Sequence, residues 1–161
     1  MKIAVYAIAL NEEDNIHTWY ESTKNADYHL IVDTGSTDKT IEIAKSLGIN
    51  VFSISVNPWS EHVAKTTALS LLPNDIDYCL LLDLDEYIEE EDWTETLKNH
   101  SEQIILHSRI NHSGFYDEQI PSEERRIHKR FNTIFIGTRP IPTLTPSSHI
   151  ELVDDKVVDD V

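Results

Sequence analysis

Four short apolar segments, separated by longer amphipathic segments, dominate the first half of the chain. Their sequences are KIAVYAIAL, YHLIVD, INVFSISV and IDYCLLL, at residues 2–10, 28–33, 49–56 and 76–82. Runs of this length, rich in β-branched and large apolar side chains, are typical of strands that are buried on both faces. Parallel strands require crossover connections, which are right-handed, and so the sequence predicts a mainly parallel, doubly wound α/β sheet.

The segments between these strands carry the start and stop signals of helices. We expect helices at residues 11–25, 38–47 and 60–72. Acidic residues begin the first, Gly48 follows the second as a C-cap, and Pro73 ends the third. Beyond residue 90 the sequence predicts a helix at 91–100, short strands at 103–110, 125–132 and 133–137, and an acidic tail. The tryptophans Trp19, Trp59 and Trp93 are expected in the core.

The net charge of -16, from 29 acidic and 13 basic residues, restricts the partners of the chain. It argues against sequence-independent binding of nucleic acid or of an anionic membrane surface, because both require a basic face. No apolar run approaches the roughly 20 residues of a membrane span, so no transmembrane segment is expected. The single cysteine, Cys79, lies within an apolar run and predicts a reduced, cytoplasmic protein.

Polar residues follow three of the predicted strands at their carboxyl ends, where open α/β sheets bind ligands. These residues are Asn11, Glu12, Glu13, Asp33, Asp83, Asp85 and Glu86. Asp83 and Asp85 are two positions apart, so in an extended strand both point to the same side. Carboxylates this close repel one another, and the cluster either runs out into solvent or holds a cation. Hard oxygen ligands favour Mn²⁺ or Mg²⁺ over zinc.

Three motifs carry a resemblance to a known family. AIALNEEDNI, LIVDTGSTDKTIEIAKSLG and LLLDLDEYI, in this order over roughly residues 2 to 93, resemble the family 2 glycosyltransferases of the GT-A fold. The resemblance implies inverting transfer of a sugar, from a nucleotide sugar that is usually a UDP-sugar, to a glycan, lipid or protein acceptor. It implies one GT-A domain over residues 1–161, with a Rossmann-like, nucleotide-sugar-binding half at 1–93. The acceptor-side half at 94–161 would be a small mixed part with the acidic tail.

The resemblance also implies roles for single residues. Those expected to bind the nucleotide sugar are Ala9, Leu10, Asn11, Glu12, Asp33, Lys65, Asp83 and Leu84. Asp85 would be the principal ligand of the divalent metal, and Asp83 would face either the ribose or the metal. The metal would lie across the diphosphate, where it neutralises a group that an acidic protein otherwise repels.

The chain departs from the family pattern where a third metal ligand is expected. Relatives follow a motif like FIG with a His-Glu pair, whereas here FIG at 135–137 is followed by Thr138. The nearest substitute is His149, followed by Glu151, and so His149 is the expected ligand. An inverting transfer also needs a carboxylate that deprotonates the acceptor hydroxyl. The candidates for this base lie in the polar loop after the fifth strand and are Asp117, Glu118, Glu123 and Glu124.

Two other interpretations stay open at the level of sequence. Because the His-Glu match is missing, the chain could bind a nucleotide sugar or a metal without transferring the sugar. Alternatively, LLLDLDEY approximates the hhhhDxDx[TV] motif of haloacid-dehalogenase-type phosphatases, with Asp83 as nucleophile. Against the phosphatase, Tyr87 replaces the Thr or Val, and the motif falls on the fourth strand instead of the first. Loss of sugar-nucleotide turnover in Asp85→Ala, or of aryl phosphate cleavage in Asp83→Asn, distinguishes the two enzymes.

Overall fold

A computed structural model of the chain describes residues 1–99, 127–129 and 149–152. The elements are β1 (Ile3–Ala9), α1 (Ile16–Thr23), β2 (Tyr28–Asp33), α2 (Thr40–Ser46), β3 (Asn50–Asn57), α3 (Glu61–Leu71), β4 (Tyr78–Leu81), α4 (Trp93–Asn99), β5 (Ile127–Lys129) and β6 (His149–Leu152). The four predicted strands and the helices between them are therefore present. The strands predicted at 103–110 and 133–137, and the acidic tail, lie outside the described residues.

The described strands form one sheet in the order β5-β4-β1-β2-β3-β6. The four central strands are parallel, while β5 pairs antiparallel with β4 and β6 pairs antiparallel with β3. From β1 the chain moves outward to β2 and β3, and the connection through α3 then returns it to the other side of β1. This reversal of direction confirms the predicted doubly wound α/β class.

Each face of the sheet has its own core, because successive side chains of a strand point to opposite faces. On one face Val5 and Ala7 of β1 pack with residues of α1, α2 and α4. On the other face Ala4 and Tyr6 pack with α3. Cys79 belongs to the second core and is fully buried, as the sequence predicted, and as the single cysteine of the chain it forms no intrachain disulfide. Helices on both faces bury most side chains of β1, β2 and β4, whereas β3 keeps exposed side chains, among them Phe52 at 40% exposure.

The last parallel strand is shorter than predicted, which changes the local geometry of the acidic motif. β4 ends at Leu81. The backbone then turns, and the Glu86 N–H donates to the Asp83 carbonyl oxygen at 2.9 Å. Asp83 and Asp85 therefore lie in a turn, and the expectation that they extend a strand was wrong. The apolar run misled because Leu82 and Leu84 remain buried, at 7% and 3% exposure, after the strand has ended.

The helix predicted at 11–25 begins later than expected, at Ile16. Its first turn contains no acidic residue, because the acidic residues before it belong to the loop that follows β1. The predicted C-cap at Gly48 is confirmed by its φ of 78° and by its N–H bond to the Lys45 carbonyl oxygen at 3.0 Å. Within the described residues, no helix has both the length and the apolar character required to cross a membrane.

Candidate active site

The site is located by the order of the strands. β1 and β4 are neighbours, but the connections that leave them run in opposite directions along the sheet. A crevice opens between carboxyl ends at such a point, and α/β proteins bind ligands there. A cavity of about 270 Å³ occupies this position. It is lined by Ile8, Ala9, Leu10, Glu12, Thr34, Trp59, Glu61, Asp83, Leu84 and Asp85.

The cavity brings together residues from both ends of the first 93 positions. Of the residues predicted to bind a nucleotide sugar or a metal, it is lined by Ala9, Leu10, Glu12, Asp83, Leu84 and Asp85. Asn11, Asp33 and Lys65 contact neighbouring parts of the same edge and do not line the cavity itself. A larger cavity of about 710 Å³ lies between α1 and residues 88–92, and none of the predicted site residues lines it.

The acidic turn after β4 is held on both sides by hydrogen bonds. The Trp19 indole Nε1 donates to the Leu82 carbonyl oxygen at 3.0 Å, from a side chain that is fully buried. The Asp83 N–H donates to the Glu86 carboxylate at 3.1 Å. Leu84 is buried between the two aspartates and anchors the turn in the core. These contacts leave the side chain of Asp83 partly exposed and that of Asp85 exposed beside the cavity.

A lysine on α3 lies between two carboxylates at the wall of the cavity. The Lys65 Nζ is 2.6 Å from the Glu61 carboxylate and 3.6 Å from the Asp83 carboxylate. The Lys65 side chain is only 15% exposed, whereas those of Glu61 and Asp83 are 62% and 36% exposed. Ser60 caps the start of α3 by accepting from the Val63 N–H, which fixes the first turn where Glu61 is located. The chain thus supplies its own cation next to Asp83.

The loops that follow β1 and β2 are joined by side-chain to backbone hydrogen bonds. The Asn11 N–H donates to the Ser36 hydroxyl, and the Asn11 side-chain oxygen accepts from the Thr37 N–H, both at 2.8 Å. Asn11 has a φ of 58°, in the left-handed region that asparagine tolerates better than most residues. The Lys39 N–H donates to the Glu13 carboxylate at 2.8 Å. The acidic residues expected to start a helix therefore order this pair of loops instead.

Asp33, at the end of β2, shapes the loop that follows it. Its carboxylate is 2% exposed and accepts from the Gly35 N–H at 3.0 Å and from the Ser36 N–H at 3.1 Å. Gly35 has a φ of 122°, which an L side chain rarely adopts. Because two backbone N–H groups already bind the carboxylate, any contact of Asp33 with a nucleoside has to use its remaining lone pairs.

Trp59 lines the cavity, although its position in the core was predicted from the sequence. It was expected in the core, but it is 58% exposed and lines the cavity. Trp19 and Trp93 are buried, as predicted. The signal available in the sequence was position. Trp59 lies two residues after the end of β3 and immediately before the Ser60 cap, so it is at the same edge as the other strand ends. An exposed indole beside a cavity offers a flat surface on which a base or a sugar ring can stack.

The carboxylates of the acidic turn fit a metal that is shared with a ligand. In the described part of the chain, no three His, Cys, Asp or Glu side chains are grouped so that they could hold a metal ion. Asp83 and Asp85 nevertheless provide hard oxygen donors at one cavity. Mg²⁺ is commonly bound by one or two carboxylates together with phosphate oxygens and water. The donor set therefore suits a divalent ion whose coordination a diphosphate completes.

The structure does not bring His149 to this turn. His149 begins β6, and its backbone pairs with that of Asn57 at the end of β3. Three strands, β1, β2 and β3, therefore lie between β6 and β4. At a spacing of about 4.8 Å between neighbouring strands, this places β6 roughly 19 Å from β4. The candidate bases Asp117, Glu118, Glu123 and Glu124 lie outside the described residues.

Comparison with known proteins identifies the family. The glycosyl transferase family 2 model matches residues 5–161. The chain belongs to glycosyl transferase family 2. An uncharacterized glycosyltransferase of Rickettsia typhi is 40% identical over 92 residues, which is 56% of this chain and 30% of the relative. One of Rickettsia prowazekii is 39% identical over the same coverage. The matched stretch covers less than a third of the length of these relatives.

Solved structures of glycosyltransferases share the fold. Staphylococcus aureus TarS, in a structure of residues 1–349, superposes with a TM-score of 0.57 at 22% identity, over 73% of this chain and 39% of TarS. Glucosyl-3-phosphoglycerate synthase from Mycobacterium tuberculosis, in complex with UDP, superposes with a TM-score of 0.51 at 25% identity, over 62% of this chain and 39% of the synthase. These neighbours confirm the predicted GT-A fold.

Proposed function

We propose that this chain contains the donor site of a metal-dependent glycosyltransferase that uses a UDP-sugar. The observation that supports this proposal most strongly is that Asp83 and Asp85 both line a cavity at the crevice between β1 and β4. The domain division made from the sequence accompanies this proposal, with residues 1–93 binding the nucleotide sugar and residues 94–161 facing the acceptor. The acceptor is a hydroxyl group on a glycan, a lipid or a protein.

The mycobacterial synthase supports UDP and a divalent metal as the ligands. That enzyme has been solved with Mn²⁺, UDP and glucosyl-3-phosphoglycerate, and it superposes with a TM-score of 0.50 at 25% identity. The net charge of -16 gives an independent physical reason for a metal, since a diphosphate approaching bare carboxylates is repelled. Mn²⁺ and Mg²⁺ both meet this requirement.

Asp85 and Asp83 are the proposed protein ligands of the metal. When bound, the ion neutralises the negative charge that builds on the departing diphosphate. Lys65, next to Asp83, supplies a second positive charge to the same region. Trp59 offers a stacking surface for the base or sugar, and the ordered loops after β1 and β2 hold the rest of the nucleoside. The candidates for the base that takes up the acceptor proton remain the carboxylates predicted from the sequence, Asp117, Glu118, Glu123 and Glu124.

Two alternatives differ from this proposal in what they predict. A binding module without transfer uses the same cavity and binds UDP with Mn²⁺, but it neither transfers nor hydrolyses the sugar. The phosphatase hypothesis loses support, because the chain belongs to glycosyl transferase family 2 and because Asp83 follows the fourth parallel strand along the chain. Aryl phosphate cleavage that disappears in Asp83→Asn would restore it.

The experiment is a calorimetric titration of UDP, GDP and CDP into the chain, with and without Mn²⁺. We expect UDP binding that depends on Mn²⁺ and is lost in Asp85→Ala, because that variant removes the principal ligand of the metal. Asp75→Ala is the matched control: it removes an exposed carboxylate at the opposite end of β4, where Asp75 pairs with Lys2. Hydrolysis of the UDP-sugar that responds to the same variants distinguishes the enzyme from the binding module. Absence of nucleotide binding with any metal would refute the proposal.

A further inference from the structure

Glu61 is a cavity residue to which neither the sequence motifs nor the family resemblance gives a role. It occupies the first turn of α3, lines the cavity with Asp83 and Asp85, and holds the Lys65 Nζ at 2.6 Å. The distance from Lys65 to Asp83 is longer, 3.6 Å. The lysine is therefore shared unequally between two carboxylates, and only one of them is a proposed metal ligand.

The unequal sharing matters because a lysine and a metal ion compete for the same carboxylate. Two cations a few ångströms apart repel each other, and this repulsion is stronger where the groups are shielded from water. The Lys65 side chain is only 15% exposed, so water screens its charge less than it screens the charge of an exposed lysine. A metal at Asp83 is tolerated only if another anion holds and neutralises the lysine. Glu61 lies one helical turn before Lys65, at the i,i+4 spacing that favours such a pair.

We propose that Glu61 is a positioning residue that holds Lys65 away from Asp83 and so keeps that carboxylate available for a divalent metal. The proposal rests on the metal site proposed above and adds a control on its occupancy. Before metal binding, Lys65 neutralises part of the charge of Asp83. When the ion arrives, Glu61 retains the lysine, and the charges on the wall of the cavity stay balanced.

The proposal predicts opposite effects for the two members of the pair. Glu61→Gln leaves Asp83 as the remaining anionic partner of Lys65 among the described residues. Because the lysine then competes more strongly for Asp83, Mn²⁺ should bind about three- to fivefold more weakly, which is the range of a partly exposed ion pair. Lys65→Met removes the competing cation and should strengthen Mn²⁺ binding. In the Lys65→Met background, Glu61→Gln should have little further effect, because its action passes through the lysine.

The experiment measures Mn²⁺ binding to the full chain, without UDP and at a fixed concentration of UDP, from the electron paramagnetic resonance signal of the free ion, with UDP alone as the blank. The site-specific component is the part of the binding that Asp85→Ala removes, since an acidic protein also binds cations loosely elsewhere. The matched control is Glu95→Gln, which removes a carboxylate from the first turn of α4 where Glu95 pairs with Lys98 at 3.2 Å. Thermal unfolding of each variant verifies that it is folded.

The outcomes separate the two proposals. If Asp85→Ala leaves Mn²⁺ binding unchanged both without and with UDP, the metal site fails and this inference fails with it. If Asp85→Ala abolishes the specific component while Glu61→Gln binds Mn²⁺ as the wild type does, only the inference is overturned. If Glu61→Gln weakens binding equally with and without Lys65, Glu61 acts directly on the ion, and the positioning role is refuted.

Discussion

The buried hydrogen bond from the Trp19 indole to the Leu82 carbonyl oxygen predicts how much stability the chain loses when the indole is replaced. In Trp19→Phe the Leu82 carbonyl, on a residue that is 7% exposed, loses the donor that lies 3.0 Å away. A buried acceptor without a partner costs about 1–3 kcal/mol. The smaller ring also leaves a cavity of on the order of 40 Å³, which at about 24 cal/mol per Å³ costs ~1 kcal/mol. We expect a total loss of about 2–4 kcal/mol in the free energy of unfolding.

Trp93→Phe is a matched control for the cavity part of this loss. Trp93 is 6% exposed and packs in the same core, but its Nε1 has no hydrogen-bond partner among the residues that the structure describes. Its replacement therefore removes a similar volume without breaking a hydrogen bond to any of the described residues, and it removes a buried N–H group that has no partner among them. The expected loss is about 1 kcal/mol or less.

The assay is urea unfolding of both variants and the wild type, followed by circular dichroism, with the free energies compared only if the slopes agree. The difference between the two variants isolates the hydrogen bond that holds the acidic turn. If Trp19→Phe costs no more than Trp93→Phe, the hydrogen bond to Leu82 contributes nothing to stability, and the reasoning is refuted.

Two further predictions concern buried polar groups. Asp33→Asn replaces a carboxylate that accepts from two backbone N–H groups. It should lower the free energy of unfolding by about 1–3 kcal/mol in the same urea assay. An unchanged free energy of unfolding would contradict the role of Asp33 in holding the loop after β2. Burial lowers the pKa of His29, against a smaller opposite effect of its 2.9 Å hydrogen bond to the Thr23 carbonyl oxygen. The folded chain thus keeps His29 neutral while the unfolded chain binds a proton, so stability should fall as the pH drops below about 6.5. The difference in unfolding free energy between wild type and His29→Gln, measured from pH 8 to pH 5, should shrink toward low pH; a constant difference would contradict this.

The sequence was most informative where local pattern and global position agree. The four parallel strands were readable because each is a continuous apolar run between helix-length segments, and the carboxyl-end rule then placed Asp83 and Asp85 at one edge with Ala9 and Leu10. The turn after Leu81 was not readable, because buried leucines continue the apolar pattern past the last strand residue. Hydrophobicity reports burial, and burial does not require a strand.

Contacts between segments that are distant in sequence were beyond the reach of pattern reasoning. Glu13 is typical of a helix start when only its neighbours in the chain are considered, but its carboxylate binds the Lys39 N–H in a loop that β1–β2 pairing brings alongside. The position of His149 depended in the same way on strand order, since nothing in its own sequence indicates that β6 joins the sheet beyond β3. Exposure of Trp59 is also a property of the assembled edge.

The position of β4 beside β1 has a consequence for assembly of the chain. β1 ends at Ala9 and β4 begins at Tyr78, so this pairing closes a much longer loop than the β1–β2 pairing does. Contacts between distant segments form late, and until β4 docks, β1 presents an unpaired edge. The acidic turn becomes part of the cavity only with that docking. A nucleotide bound there would stabilise only the chain with β4 in place. If the proposed nucleotide binds there, ligand binding and closure of the sheet form one linked equilibrium, and opening of the β1–β4 edge becomes rarer as the nucleotide concentration rises.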